Sequence, residues 1–197
     1  MDADGLILAC ATTAERRAGS RAGLRTALIG LRGANGIPDG PPLVSYGLAG
    51  ALDGLASGTV IDAVRIVDEQ GRTLWEGEQL GIPGARPGTI LASERVIDDP
   101  QERRRLHELT GADAVDLESG PLAATGRLRG CVRAISDTPQ RPLNGICAAV
   151  RADGAYDWLG MIKGFAQAPR GFLRAAADGK RALDELARAT RGWVAGS

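Results

Sequence analysis

No stretch of the chain approaches the ~20 consecutive apolar residues that a membrane-spanning helix needs, so no transmembrane segment is expected. A secretory signal is missing too. The first apolar run, Leu6–Ala11, is short and follows Asp2 and Asp4 rather than positive charge. The expectation is a cytoplasmic protein. An excess of one charge is also absent: 24 basic residues balance 24 acidic ones, and the pI is near 6.6. That excludes an overall basic field for nucleic acid, so no nucleic-acid partner is expected. Cysteine is scarce. Cys10, Cys131 and Cys147 are odd in number, lack metal-ligand spacing and sit in apolar runs, which reads as buried reduced thiols. No metal cluster, redox-cofactor motif, internal repeat or low-complexity tail is visible, so no metal and no cofactor are expected.

What is there is glycine, 28 residues of it with 10 prolines, which calls for many tight turns. The chain has 197 residues, 44% of them hydrophobic, which suits one domain over 1–197 with a sizeable core. Short apolar runs predict strands at 5–11, 26–30, 43–46, 59–67, 73–75, 90–93 and 129–136. Thr12 and Thr13 follow the first run as helix caps. The glycine- and proline-rich stretch 31–42 cannot be regular structure. Asp98-Asp99-Pro100 opens a helix that Gly111 closes. Further helices are expected over about 118–126, 156–167 and 170–191. Strands interleaved with helices predict an α/β fold of three layers, a mixed central β-sheet flanked by helices.

In open α/β sheets ligands collect at the carboxyl ends of strands. Polar or small residues stand at four such ends: Glu15, Gly47–Gly50, Glu118 and Asp137. The wording of these segments resembles the purine nucleoside phosphorylase and nucleosidase family. The family motif V-S/T-x-G-x-A-G-G-L is matched by Val44-Ser-Tyr-Gly-Leu-Ala-Gly-Ala-Leu52, and A-D-A-V-D-M-E-S/G by Ala112-Asp-Ala-Val-Asp-Leu-Glu-Ser119. The strand end R-A-I-S-D is matched letter for letter by Arg133-Ala-Ile-Ser-Asp137. A D-P-x-x-R/K helix precedes the second motif at Asp99. Within the family, Leu48, Ser119 and the Arg/Ala/Leu-rich tail resemble the hopanoid-associated phosphorylase branch. The resemblance covers most of the chain and is poor at 16–42, where this chain looks trimmed.

The resemblance implies a nucleoside phosphorylase-like fold and cleavage of a purine N-glycosidic bond, with adenine the favoured base. Bond breaking builds positive charge on the sugar and negative charge on the base. Asp137 matches the family acid at purine N7. Glu118 matches the ribose-holding carboxylate, and it is expected to stay ionised near a helix N-terminus. Glu15 is placed like the glutamate that holds the attacking water. Gly47, Leu48, Ala49, Gly50, Val96, Ile97, Leu117 and Ser136 are the expected substrate-lining residues. Inorganic phosphate is the other candidate nucleophile, as co-substrate, with Arg32 in its glycine-rich turn as the weaker anion contact. Ala51 replaces a family glycine, Leu117 a methionine, and no stacking aromatic stands near 93–97. A non-catalytic nucleoside-binding relative therefore remains as the alternative. An assembly protein that keeps only the fold is a third reading, and the resemblance implies a homo-oligomer. Plainer roles stand beside these: Asp137 as a cap, Glu118 as a helix charge, Glu15 as a solvated charge beside Arg16 and Arg17, Gly47 and Gly50 as turn glycines. His107 reads as structural or solvated, Trp158, Phe165 and Phe172 as core or oligomer contacts, and Arg103-Arg-Arg105 as a solvated helix face.

Overall fold

The structure, a computed structural model, describes residues 5–141, 151–155 and 169–196. Cys147, Trp158, Phe165 and the helix expected over 156–167 lie outside the described residues.

Strand β1 (Ile7–Cys10) is buried along its whole length. It runs parallel to both β2 (Thr26–Leu28) and β3 (Leu43–Ala51). On its other edge β3 pairs in parallel with β8 (Leu128–Asp137). Strand β8 continues to β4 (Val60–Val67), antiparallel, and β4 to β6 (Arg86–Ala92), parallel. Next comes β7 (Ala114–Asp116), parallel to β6, and its other edge meets the end of β3 at Gly50 and Ala51. The sheet is thus mixed, as expected. It also curls until β3, β8, β4, β6 and β7 close a circuit, which leaves β1–β2 and β5 (Thr73–Glu76) as flaps.

Side chains alternate across these strands with period two. Leu8, Tyr46 and Val132 point to a core completed by Ala182, Leu186 and Trp193. Ala9, Leu43, Ile61, Ile90 and Ile135 fill the other side, within the curl. The first core is closed by helix α4 (Pro169–Gly196), which packs on β8, β3 and α1 (Thr13–Ser20). Helix α2 (Pro100–Thr110) has Asp99 as N-cap, Pro100 in its first turn and left-handed Gly111 at its exit, as the sequence predicts. Helix α3 (Ser119–Ala123) is shorter than expected. Strand β3 is longer: it runs straight through Gly47–Gly50, so these are strand residues and not turn glycines. No described helix is long and apolar enough to cross a membrane.

Candidate active site

A cavity of about 680 Å³ opens where β1, β3, β7 and β8 end and α4 passes over them. Glu15, Leu48, Ala49, Gly50, Val96, Ile97, Leu117, Glu118, Ser136 and Asp137 all line it. Phe172, Ala175, Ala176 and Leu183 of α4 form its apolar far wall. Phe172 is therefore a cavity residue, placed there because the helix turns this face inward. Gly47 and Arg32 stand apart from the lining.

Glu15 owes its position to the start of α1. Thr12 caps the helix, and Glu15 reaches back in a capping box, so its Oε2 accepts from Thr12 N at 2.8 Å and Thr12 Oγ1 at 3.0 Å. Its Oε1 accepts from Leu48 N at 2.8 Å. The carboxyl is buried, not solvated beside Arg16 and Arg17. Burial raises its pKa, while the Arg133 charge and these hydrogen bonds oppose the rise. Gly47 makes room: a Cβ there would stand 2.3 Å from Glu15 Oε1 and 2.7 Å from Arg133 Nη1.

Across the cavity, Glu118 leaves β7 into α3. Its Oε1 accepts from the backbone N–H of Arg32 at 3.2 Å, and its Oε2 lies 4.0 Å from Arg133 Nη2. The expectation that the helix end keeps it ionised does not hold. Helix α3 has only five residues, and the Glu118 side chain makes no capping bond. Burial, and then the neighbouring Asp116 carboxylate, push Glu118 up to about 8. Arg133 cannot compensate fully because its charge is committed to Asp116, to which its Nε donates at 2.5 Å. Arg133 is 1% exposed and also donates to Ser45 Oγ. The strand motif contains Arg133 but assigns it no role. A charged residue inside an apolar strand is the signal that could have singled it out, since a buried guanidinium demands carboxylate partners.

Asp137 ends β8. Ser136 Oγ donates to its Oδ1 at 2.7 Å, and Arg103 Nη2 forms a buried ion pair with its Oδ2. A Cβ on Gly50 would lie 2.7 Å from that same Oδ2. Arg103 corrects the sequence reading: it is 1% exposed, and only its neighbours Arg104 and Arg105 face solvent. Helical geometry turns the first arginine of the run inward, onto Asp137, Ile97 O and Ala51 O. The Ala51 methyl, in place of glycine, sits in the core.

Arg32 does not form the expected anion turn around its side chain. Its guanidinium is half exposed and 3.7 Å from Glu94, outside the cavity. Its backbone takes a left-handed conformation that aims the N–H at Glu118. Val96 lines the cavity while remaining 46% exposed, and Ile97 is buried. His107 Nδ1 lies 2.7 Å from Ala112 O, a structural contact at the end of α2. Cys10 and Cys131 are free and buried, and burial raises both thiols, Cys131 to about 12. Among the described residues, no group of three or more His, Cys, Asp or Glu could hold a metal ion.

No protein-family model and no curated protein matches the chain by sequence. Solved structures match by fold. Helicobacter pylori 5′-methylthioadenosine/S-adenosyl homocysteine nucleosidase, complexed with a substituted pyrrolidin-3-ol, superimposes with a TM-score of 0.66 at 12% identity. All of both chains is covered. The S. pneumoniae nucleosidase of the same name gives 0.61 at 13% identity over 94% of this chain and 98% of that one. Futalosine hydrolase of Helicobacter pylori gives 0.56 at 14% identity over 93% and 98%. The chain has the nucleoside phosphorylase-like fold of these nucleosidases.

Proposed function

We propose that the cavity cleaves the N-glycosidic bond of an adenine nucleoside-type compound, with water as the attacking group. The observation that carries this reading is the convergence of Glu15, Glu118 and Asp137 on one hollow in a fold shared with nucleosidases. Asp137 faces the leaving base and supplies the proton that its nitrogen takes up as the bond breaks. Glu118 holds the ribose hydroxyls. Burial and Asp116 raise its pKa, and positive charge developing on the sugar favours its carboxylate form, the proton passing to solvent as substrate seats. Its stabilisation is thereby concentrated in the transition state. Glu15, held on both oxygens by N–H and O–H donors, orients the water and takes the proton that it loses.

The charges near the cavity favour water over phosphate. Arg103 is paired with Asp137, Arg95 with Glu102 at 2.6 Å and Lys180 with Asp184 at 2.7 Å. Arg133, beneath the floor, is paired with Asp116. A phosphate would meet carboxylates and compete for cations already engaged. The apolar wall from α4 suits a bulky apolar substituent on the ribose 5′ carbon, as hopanoid side-chain metabolism would supply.

The test is release of adenine from 5′-methylthioadenosine and from 5′-alkyl adenosines, followed by chromatography. The wild-type protein is expected to release adenine from at least one of them. Asp137→Asn is expected to lower kcat by about 100-fold or more, the usual scale for losing a general acid. No adenine from any of these nucleosides would overturn the reading.

A further inference from the structure

Arg103 has a fixed place that the roles above do not use. Its Nε donates to Ile97 O at 2.8 Å and its Nη1 to Ala51 O at 3.0 Å. Nη2 is left for Asp137 Oδ2, with Asp98 Oδ1 at 3.6 Å on the outer side. One planar fork thus joins three segments: the cavity-lining loop at Val96–Ile97, the end of β3, and the end of β8. The guanidinium is buried, so neither water nor salt screens it from the carboxylate.

We propose that Arg103 is a positioning residue for leaving-group protonation, locking Asp137 in register with the Val96–Ile97 wall of the cavity. This rests on the nucleosidase reading and adds to it the group through which the acid acts. In the step concerned, the C1′–N9 bond breaks and its electron pair goes to the base. A proton drawn from solvent is taken up at Asp137 Oδ1 and passed to the base nitrogen, and the carboxylate is paired with Arg103 before and after. The guanidinium stabilises the product side of the transfer without touching substrate. With Oδ2 taken by Arg103, Oδ1 and the Ser136 hydroxyl bonded to it are the groups left to meet the base. The other charged groups lining the cavity are Glu15, Arg95, Asp116, Glu118 and Lys180; Asp98, outside the lining, stands 3.6 Å from Arg103 Nη2.

A role confined to packing would weaken every substrate alike, so the experiment compares two leaving groups. Adenine from an adenine nucleoside needs protonation, whereas p-nitrophenolate from p-nitrophenyl β-D-ribofuranoside leaves unaided. Arg103→Gln is expected to lower kcat for the nucleoside by about 100-fold and kcat for the nitrophenyl riboside by less than about fivefold. Arg103→Lys, which keeps the charge without the fork, should fall between Gln and wild type on the nucleoside. In a cycle with Asp137→Asn, the double variant should be no slower than Asp137→Asn alone, because both act on one proton. If Arg103→Gln does not fold, the same comparison is made with Arg103→Lys, which must then lose adenine release selectively. Equal losses on both leaving groups, or additive losses in the cycle, would overturn this inference and leave the nucleosidase reading intact. A wild-type protein that releases no adenine would overturn both.

Discussion

Glu118 shows how a single residue carries both stability and function. Its carboxyl is raised to about 8 in the folded protein and returns to an ordinary value near 4.5 when unfolded. Between those values the folded state holds the extra proton. Stability from this group is therefore fully present below about 4.5 and is lost as pH rises through about 8. The melting temperature of the wild type is expected to fall between pH 5.5 and 8.5, and Glu118→Gln should flatten that fall. At pH 8.5 the variant should be the more stable by on the order of a few kcal/mol. Parallel melting curves for the two proteins across that range would contradict this. The residue itself was legible, because a motif marks it. Its protonation was not, since that depends on Asp116 and on how much of Arg133 remains for Glu118. Arg103 stands at the R/K position of the D-P-x-x-R/K motif, but its burial was not legible: in a run of three arginines only the helical phase against β3 and β8 decides which one turns inward.

At the scale of elements, β3 matters most. It was readable as far as Tyr46, where the run of larger side chains stops and glycines begin. Its continuation to Ala51 was not, because Gly47 and Gly50 read as turn residues until two carboxyls are seen in the space that their side chains would fill. The same glycines pass a strand edge between Glu15 of α1 and Asp137 of β8. Gly47→Ala should destabilise the protein by about 2 kcal/mol, the cost of overpacking a site that cannot move aside. Chemical denaturation measures this. Adding Glu15→Ala to Gly47→Ala should recover part of the loss. An unchanged midpoint for Gly47→Ala would mean that Glu15 does not sit against β3. The capping signals of α1 and α2, by contrast, were fully written in Thr12, Asp99, Pro100 and Gly111, because caps depend only on local backbone chemistry.

For the whole molecule, the α/β class and the mixed sheet followed from strands interleaved with helices. The closed circuit of five strands did not, since no local pattern states that β7 returns to the end of β3. That closure brings Glu118 and Asp137, far apart from Glu15 in sequence, to one cavity beneath α4. On the proposed reading the attacking group is water, and the oxygen arriving at the anomeric carbon tests it. Turnover of a cleavable adenine nucleoside in ¹⁸O-labelled water, with and without inorganic phosphate, would be followed by mass spectrometry of the sugar product. The expected result is a free sugar that incorporates one labelled oxygen at the C1′ position at a rate indifferent to phosphate. A sugar 1-phosphate, formed only when phosphate is present, would contradict it.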